Sequence, residues 1–219
     1  MSSTNARPLR RDAERNRLRI LKAAQEVFAE RGLDVSLDDI AAHAGLGVGT
    51  VYRRFPSKED LVEALFSERL QDVVTAAEQA AADPDAWRGL IGFLDNASAL
   101  QAADRGLREV LLGSRFGHDH VASLRDSMQP IIIDLVARAQ AQGRLRADVA
   151  ETDIPLIAIM LSAVVDYTGH VQSDIWRRCL SLVIDGLRAG PGALTPLRPD
   201  PLTHDEVDQA MRAWHPSHR

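Results

Sequence analysis

Residues 36–61, SLDDIAAHAGLGVGTVYRRFPSKEDL, constrain the fold more than any other stretch of the chain. Ser36 precedes Asp39 with the spacing of a capping box, in which a hydroxyl and a carboxylate satisfy backbone N–H groups at a helix start. Leu37, Ile40, Ala41 and Ala44 recur at helical spacing and give that helix one apolar face. Gly45 ends it, because glycine takes the left-handed conformation that a helix C-terminus often needs. Leu46 and Gly47 form a tight turn. A second helix runs from about Val48 to Phe55, Pro56 stops it, and Ser57 with Asp60 opens a third.

The middle helix carries the functional information. At about 100° per residue, Val48, Val51, Tyr52 and Phe55 fall on one side and are expected in the core. Gly49, Thr50, Arg53 and Arg54 fall on the other, which is small, hydroxylated and cationic, with no carboxylate. A helix entering a DNA major groove needs that composition: small residues for close approach, donors for base edges and phosphates. Lys58 stands in the first turn of the next helix, where backbone N–H groups and a cation can hold a phosphate.

Residues 15–65 resemble the DNA-binding domain of the TetR family of transcriptional regulators. The resemblance is carried by Ile20, Ala23, Ala24, Phe28 and Gly32, by Asp39-Ile40-Ala41 and Ala44-Gly45, by Val48 to Tyr52 with Phe55, and by Ser57 to Leu61. Several fixed spacings agree at once. The family often has Ser where this chain has Gly47, and His or Tyr where it has Arg54. The resemblance implies an all-α protein with an N-terminal three-helix helix-turn-helix DNA-binding domain and a C-terminal helical ligand-binding and dimerisation domain. It also implies a dimeric regulator, most often a repressor released from a palindromic operator by a small-molecule effector. Ser36, Gly47, Gly49, Thr50, Tyr52, Arg53, Arg54 and Lys58 are the expected DNA-facing residues, with Tyr52 and Lys58 assigned to phosphates by the resemblance.

Composition agrees. Hydrophobic residues make up 45% of the chain, enough for a core, and aromatics only 5%, which favours helices over sheets. A net charge of −5 argues against nucleic-acid binding until its distribution is considered. Residues 1–70 are net +1 and residues 71–219 net −6, while the first 22 residues hold 7 basic and 2 acidic side chains. The single cysteine, Cys179, excludes an internal disulfide and suits a reducing, cytoplasmic compartment. No apolar run reaches membrane-spanning length, and the N-terminus lacks the apolar core of a secretory signal.

Residues 1–11 read as a flexible basic arm, solvated or reaching for DNA. Residues 12–56 form the DNA-binding domain, 57–82 a connecting helix, 83–190 a helical ligand-binding and dimerisation domain, and 191–219 a Pro-rich tail. Pro130 falls inside a long helix and should kink it. The segment IPLIAIMLSAVVDYTG is apolar nearly all round, so it is buried on most sides. A helix after Ser173 and one possible helix over 203–214 complete the series.

The remaining motifs are weighed against simpler readings. Gly45-x-Gly47-x-Gly49 lacks the preceding strand a nucleotide-binding loop requires. His118-Asp119-His120 has no adjacent further ligands for a closed metal site, so neither a metal nor a cofactor is expected. Cys179 reads as a small hydrophobe. Trp87, Phe93, Phe116, Met128, Met160, Asp166 and Tyr167 are the candidates for an effector cavity. Ile157, Leu161, Val164 and Val165, with the stripe Trp176, Leu180, Val183, Ile184 and Leu187, are the candidates for a dimer interface. No catalytic constellation is present at useful spacing. A helical small-molecule carrier and a protein-only adaptor are the alternatives, and both predict no affinity for random duplex DNA.

Overall fold

The computed structural model describes residues 6–111, 118–190, 192 and 194–213. Among these residues the helices are α1 (Ala6–Arg31), α2 (Leu37–Ala44), α3 (Val48–Arg54), α4 (Lys58–Ala82) and α5 (Ala86–Ala103). They continue with α6 (Arg105–Leu111), α7 (His118–Ala141), α8 (Asp153–Thr168), α9 (Ile175–Leu187) and α10 (His204–Ala213). An isolated antiparallel bridge pairs Leu145 with Arg188, and no strand forms among the described residues. The protein is all-α.

The chain divides into two units, Met1–Glu68 and Arg69–Arg219, and the division falls within α4. Leu61, Val62 and Phe66 of α4, beyond the boundary expected at Pro56, are buried residues of the first unit. α1 begins at Ala6 rather than Asp12, so residues 6–11 of the expected flexible arm are helical. Pro8 lies in the first turn, where its missing N–H has no intrahelical partner to lose, and Leu and Arg are good helix formers. Residues 1–5 of that arm lie outside the described residues.

In the first unit Ile20, Ala24, Val27 and Phe28 of α1 are buried, as are Leu37, Ile40 and Ala41 of α2 and Val51 of α3. The Phe28 and Phe66 rings stack with centroids 6.4 Å apart. In the second unit one core joins Trp87, Leu90 and Leu94 of α5 to Leu135 of α7, Leu161 of α8 and Trp176 of α9. Gly89 allows α5 to approach α4: a Cβ there would stand 2.4 Å from the Ala80 carbonyl oxygen. Gly89→Ala is expected to lower stability by about 1–3 kcal/mol despite the better helix propensity of alanine, because backbone must move to admit the methyl group. A urea titration checks this, and an unchanged midpoint would refute it.

Six of the nine dimer residues expected on α8 and α9 are placed in the unit's own core instead: Ile157, Leu161, Val165, Trp176, Leu180 and Leu187 are buried within it. Val164, Val183 and Ile184 are half-buried. Each helix turns one apolar stripe to its own core, and an apolar stripe read without the fold cannot distinguish that core from a subunit seam. The apolar side chains left outward are others: Met160, Ala163 and Tyr167 on α8 and Leu182 on α9, with Tyr167 82% and Leu182 68% exposed.

Candidate functional site

The helix-turn-helix is built from its caps. Ser36 has an extended backbone, its hydroxyl accepts the Asp39 N–H at 3.1 Å, and its own N–H donates to Asp39 Oδ2 at 2.9 Å. The Ser36 hydroxyl also donates to Asp39 Oδ2 at 2.6 Å, and this bond first, then the Ser36 N–H and the Arg31 guanidinium 3.6 Å away, hold the Asp39 carboxyl below its ordinary pKa. The sign follows: the cap's contribution is complete above the ordinary carboxylate range and fades as pH falls through the depressed value. Gly45 takes the left-handed conformation at φ 60°, its carbonyl accepts a hydrogen bond from Arg19 at 3.4 Å, and Leu46 N–H closes on the Ala41 carbonyl at 3.0 Å. The turn is thereby fixed before α3 starts.

On α3 the core side is narrower than the periodicity predicts. Val51 and Phe55 are buried, but Val48 is 42% and Tyr52 45% exposed. A seven-residue helix resting on one neighbour through one side chain per turn leaves the flanking positions outside. Gly47, Gly49, Arg53 and Arg54 are exposed and Thr50 half-buried, so the outward surface joins Val48 and Tyr52 to the small, hydroxylated and cationic face. No acidic residue lies in the first turn of α3, and neither Arg53 nor Arg54 joins an ion pair among the described residues.

Two expected DNA residues do structural work in this unit. The Ser36 hydroxyl is engaged in its cap. Lys58 is half-buried and its ammonium donates to the Leu33 carbonyl, tying α4 to the loop before α2. Ser57 and Asp60 form the second capping arrangement, with Ser57 N–H to Asp60 Oδ2 at 3.0 Å and Asp60 N–H to Ser57 Oγ at 3.1 Å. Gly47 caps α3 without a side-chain hydrogen bond, and a Cβ built on Gly47 or Gly49 meets nothing within 4 Å. Gly47→Ser should therefore raise stability by a few tenths of a kcal/mol by adding the missing acceptor. Thermal unfolding measures it, and a loss of stability would show that glycine is needed there for the backbone.

The second unit contains a cavity of about 200 Å³. Phe93, Leu94, Met128, Ile132, Ile154 and Ile159 supply much of its wall. Ser98, Gln101 and Thr152 are buried polar members of the lining, while Asp126, Glu151, His204 and Asp208 are more exposed and form its polar rim. α10 closes one side through Val207 and Met211, which are 7% and 8% exposed. Of the expected cavity residues, Phe93 and Met128 line it. Trp87 is instead in the core, with the Arg188 guanidinium 5.4 Å from its ring centroid. Met160 and Tyr167 are exposed, and Asp166 pairs with the buried Arg108, which also donates to the Gln101 carbonyl at 2.6 Å. Phe116 lies outside the described residues.

Residues 20–65 match the model of bacterial regulatory proteins of the tetR family. Residues 83–189 match that of the C-terminal domain of SbtR-like transcriptional regulators. The chain belongs to the TetR family. A TetR transcription regulatory protein from Mycobacterium vanbaalenii is 34% identical over 83% of this chain and 99% of its own, with a TM-score of 0.49. FadR from Bacillus subtilis, solved in complex with stearoyl-CoA, is 21% identical, covers 78% of this chain and 98% of its own, and has a TM-score of 0.59, so it shares the fold. An HTH-type transcriptional regulator of Staphylococcus aureus is 38% identical over 72 residues, 32% of this chain. This chain spans only 39% of the length of that curated relative.

In this TetR-family chain the helix expected over 203–214, within the residues read as a tail, forms as α10. The C-terminal family match ends at residue 189, ahead of it. Thr203 and Glu206 form a capping box, with Thr203 N–H to Glu206 Oε2 at 2.8 Å, and Val207 and Met211 stand one helical turn apart. His204 Nε2 lies 3.1 Å from Glu151 Oε1 and fastens the head of α10 beside α8. Arg146 donates to the Thr195 carbonyl at 2.6 Å and holds the segment leading to it. Among the described residues no group of three or more His, Cys, Asp or Glu could hold a metal, and no helix is long and apolar enough to cross a membrane.

Proposed function

We propose that this chain is a homodimeric, non-enzymatic, cytoplasmic repressor that holds a palindromic operator and releases it when a small molecule fills the cavity of the second unit. The observation that carries the DNA part is the outward face of α3. It has two glycines, a threonine, a tyrosine and two arginines that form no ion pair among the described residues, and no carboxylate. Thr50 and Arg53 would reach base edges, Gly47 and Gly49 would let the backbone come close, and Tyr52, Arg54 and Lys58 would meet phosphates. Ser36 would act through its cap, by orienting α2.

The dimer is supported by the stripes on α8 and α9 that the unit's core does not fully cover. Exposed Met160, Ala163 and Tyr167 with half-buried Val164 share one face of α8, and exposed Leu182 and Gly186 with half-buried Cys179 and Val183 share one face of α9, each set at i, i+3, i+4, i+7. Pairing these stripes about a two-fold axis would make a four-helix bundle whose alanine and glycine permit close approach. The effector part is supported by the cavity and by FadR, which shares the fold and was solved with stearoyl-CoA. Val73 of α4 lines the cavity, and α4 begins at Lys58, so one helix runs from the cavity wall to the DNA-binding unit. An effector changes operator affinity only through its different affinity for the two states.

The test is a footprint on genomic DNA followed by a salt titration on the protected sequence and on random duplex. A palindromic footprint with half-sites about 34–36 Å apart, and a steep salt slope, are expected. No protected sequence and no salt dependence would refute the reading.

A further inference from the structure

Two neighbouring donors in the cavity wall of the second unit define what the cavity would hold. Ser98 and Gln101 are 4% and 5% exposed, line the cavity, and stand one helical turn apart on α5, so their side chains share a face. Gln101 is fixed at both ends. Its backbone carbonyl accepts from Arg108 at 2.6 Å, and its Oε1 accepts the Ser162 hydroxyl at 2.7 Å. Its Nε2 N–H groups have no acceptor among the described residues. The Ser98 hydroxyl is free in the same sense. Thr75, Thr168 and Ser181 turn their hydroxyls to the carbonyl four residues back, at 3.0, 2.7 and 2.9 Å, whereas Ser98 makes no such bond.

These donors open on the cavity. Among the described residues Thr152 Oγ1 is the side-chain polar atom that is both enclosed and without a partner. Ser98 Oγ and Gln101 Nε2 lack partners but are not enclosed, so the little surface that each residue keeps includes its donor. A buried donor left unpaired costs stability until an acceptor reaches it. A charged head finds no such reception. Among the described residues lining the cavity none is Lys or Arg, so a carboxylate has no counter-ion there. An ammonium would meet donors at this end. The acids elsewhere in the lining offer it little: Glu151 is met by His204 at 3.1 Å, Asp208 is already engaged, and Asp126 is exposed, where solvent screens its charge.

We infer that the effector is an uncharged carbonyl compound, a ketone, ester or amide on an apolar body, whose oxygen accepts from Gln101 Nε2 and Ser98 Oγ while the body lies among Phe93, Met128 and Ile132. A carbonyl oxygen has two lone pairs and can take both donors at once. A cavity of about 150 Å³ takes benzene, so the roughly 200 Å³ here suits one ring with a short chain. The inference rests on the effector reading above, and the experiment separates the two.

Benzylacetone, hydrocinnamate and the primary amine of the benzylacetone skeleton share a phenylethyl body and carry a ketone, a carboxylate and an ammonium of similar size. Each is titrated calorimetrically into the full-length protein. Benzylacetone should bind about tenfold or more tightly than either charged compound, because a charge leaves water without a partner to replace it. Ser98→Ala should weaken benzylacetone about fivefold without lowering the melting temperature, since alanine is the better helix former and the hydroxyl has no partner to lose. Gln101→Leu made together with Ser162→Ala removes both ends of one buried bond and should also weaken benzylacetone about fivefold. Ser98→Ala decides the question even where the double variant does not fold. A serine kept only for structure would lower the melting temperature when replaced and leave benzylacetone affinity unchanged. Equal or tighter binding of hydrocinnamate or of the amine, no binding of benzylacetone, or an affinity for it unchanged in Ser98→Ala would each overturn the inference. Operator affinity is measured with each compound present. Release by a charged compound alone would uphold an effector and sink the carbonyl. Benzylacetone binding with no change in operator affinity would sink the effector reading and leave the carbonyl site standing.

Discussion

A chain carrying Ala163→Glu and Leu182→Glu is expected to sediment as a monomer and to lose specific DNA binding by roughly a hundredfold or more, because two half-sites joined in one dimer bind far better than either alone. Both positions face outward, Leu182 being 68% exposed, and glutamate is a good helix former, so neither change should disturb the fold of the unit. In a dimer both charges would enter an apolar seam in two copies each and repel their symmetry mates. Leu180→Glu is the contrasting variant. Leu180 is 3% exposed in the core beside Trp176, so the charge would be buried whether or not a dimer forms. That substitution should cost on the order of 3–5 kcal/mol and yield little folded protein. Analytical ultracentrifugation with circular dichroism distinguishes the two. If the Ala163/Leu182 variant remains a tight dimer with normal operator affinity, the subunit seam lies elsewhere.

That contrast shows how far the sequence could be read. Local chemistry was legible: the Ser36–Asp39 and Ser57–Asp60 capping boxes, the left-handed Gly45 and the stop at Pro56 all place helix ends to within a residue or two. Periodicity was less informative, because it finds an apolar stripe without saying what covers it. On α3 it assigned Val48 and Tyr52 to the core, but the short helix rests on α2 through Val51 and leaves both exposed. On α9 it found Trp176, Leu180 and Leu187, which the second unit buries against itself. The cavity was least legible. Its polar members Ser98 and Gln101 stand one turn apart on α5, but Thr152 comes from the head of α8, and nothing local marks it as their neighbour. Lys58 illustrates a further gap: its charge suggested a phosphate, whereas the fold also gives it the Leu33 carbonyl.

Arg53→Ala is expected to weaken operator binding by about 1–3 kcal/mol and to relax sequence preference at one base pair of each half-site, if its guanidinium reads a base edge. Arg53 is exposed near the end of α3 on the face that carries Thr50, so its loss should leave the melting temperature unchanged. Gly49 tests the same face through shape. A Cβ there meets nothing within 4 Å, and glycine in a helix costs about 1 kcal/mol relative to alanine. Gly49→Leu should therefore raise stability while abolishing DNA binding, because its side chain occupies the space that a major groove edge requires. Lys58→Ala separates two roles for one ammonium. If Lys58 meets a phosphate as well as Leu33, binding to specific and random DNA should weaken alike and the salt slope should flatten by about 1. A lower melting temperature with an unchanged slope would assign Lys58 to the fold alone. Wild-type affinity in Arg53→Ala and Gly49→Leu together would remove α3 from the DNA.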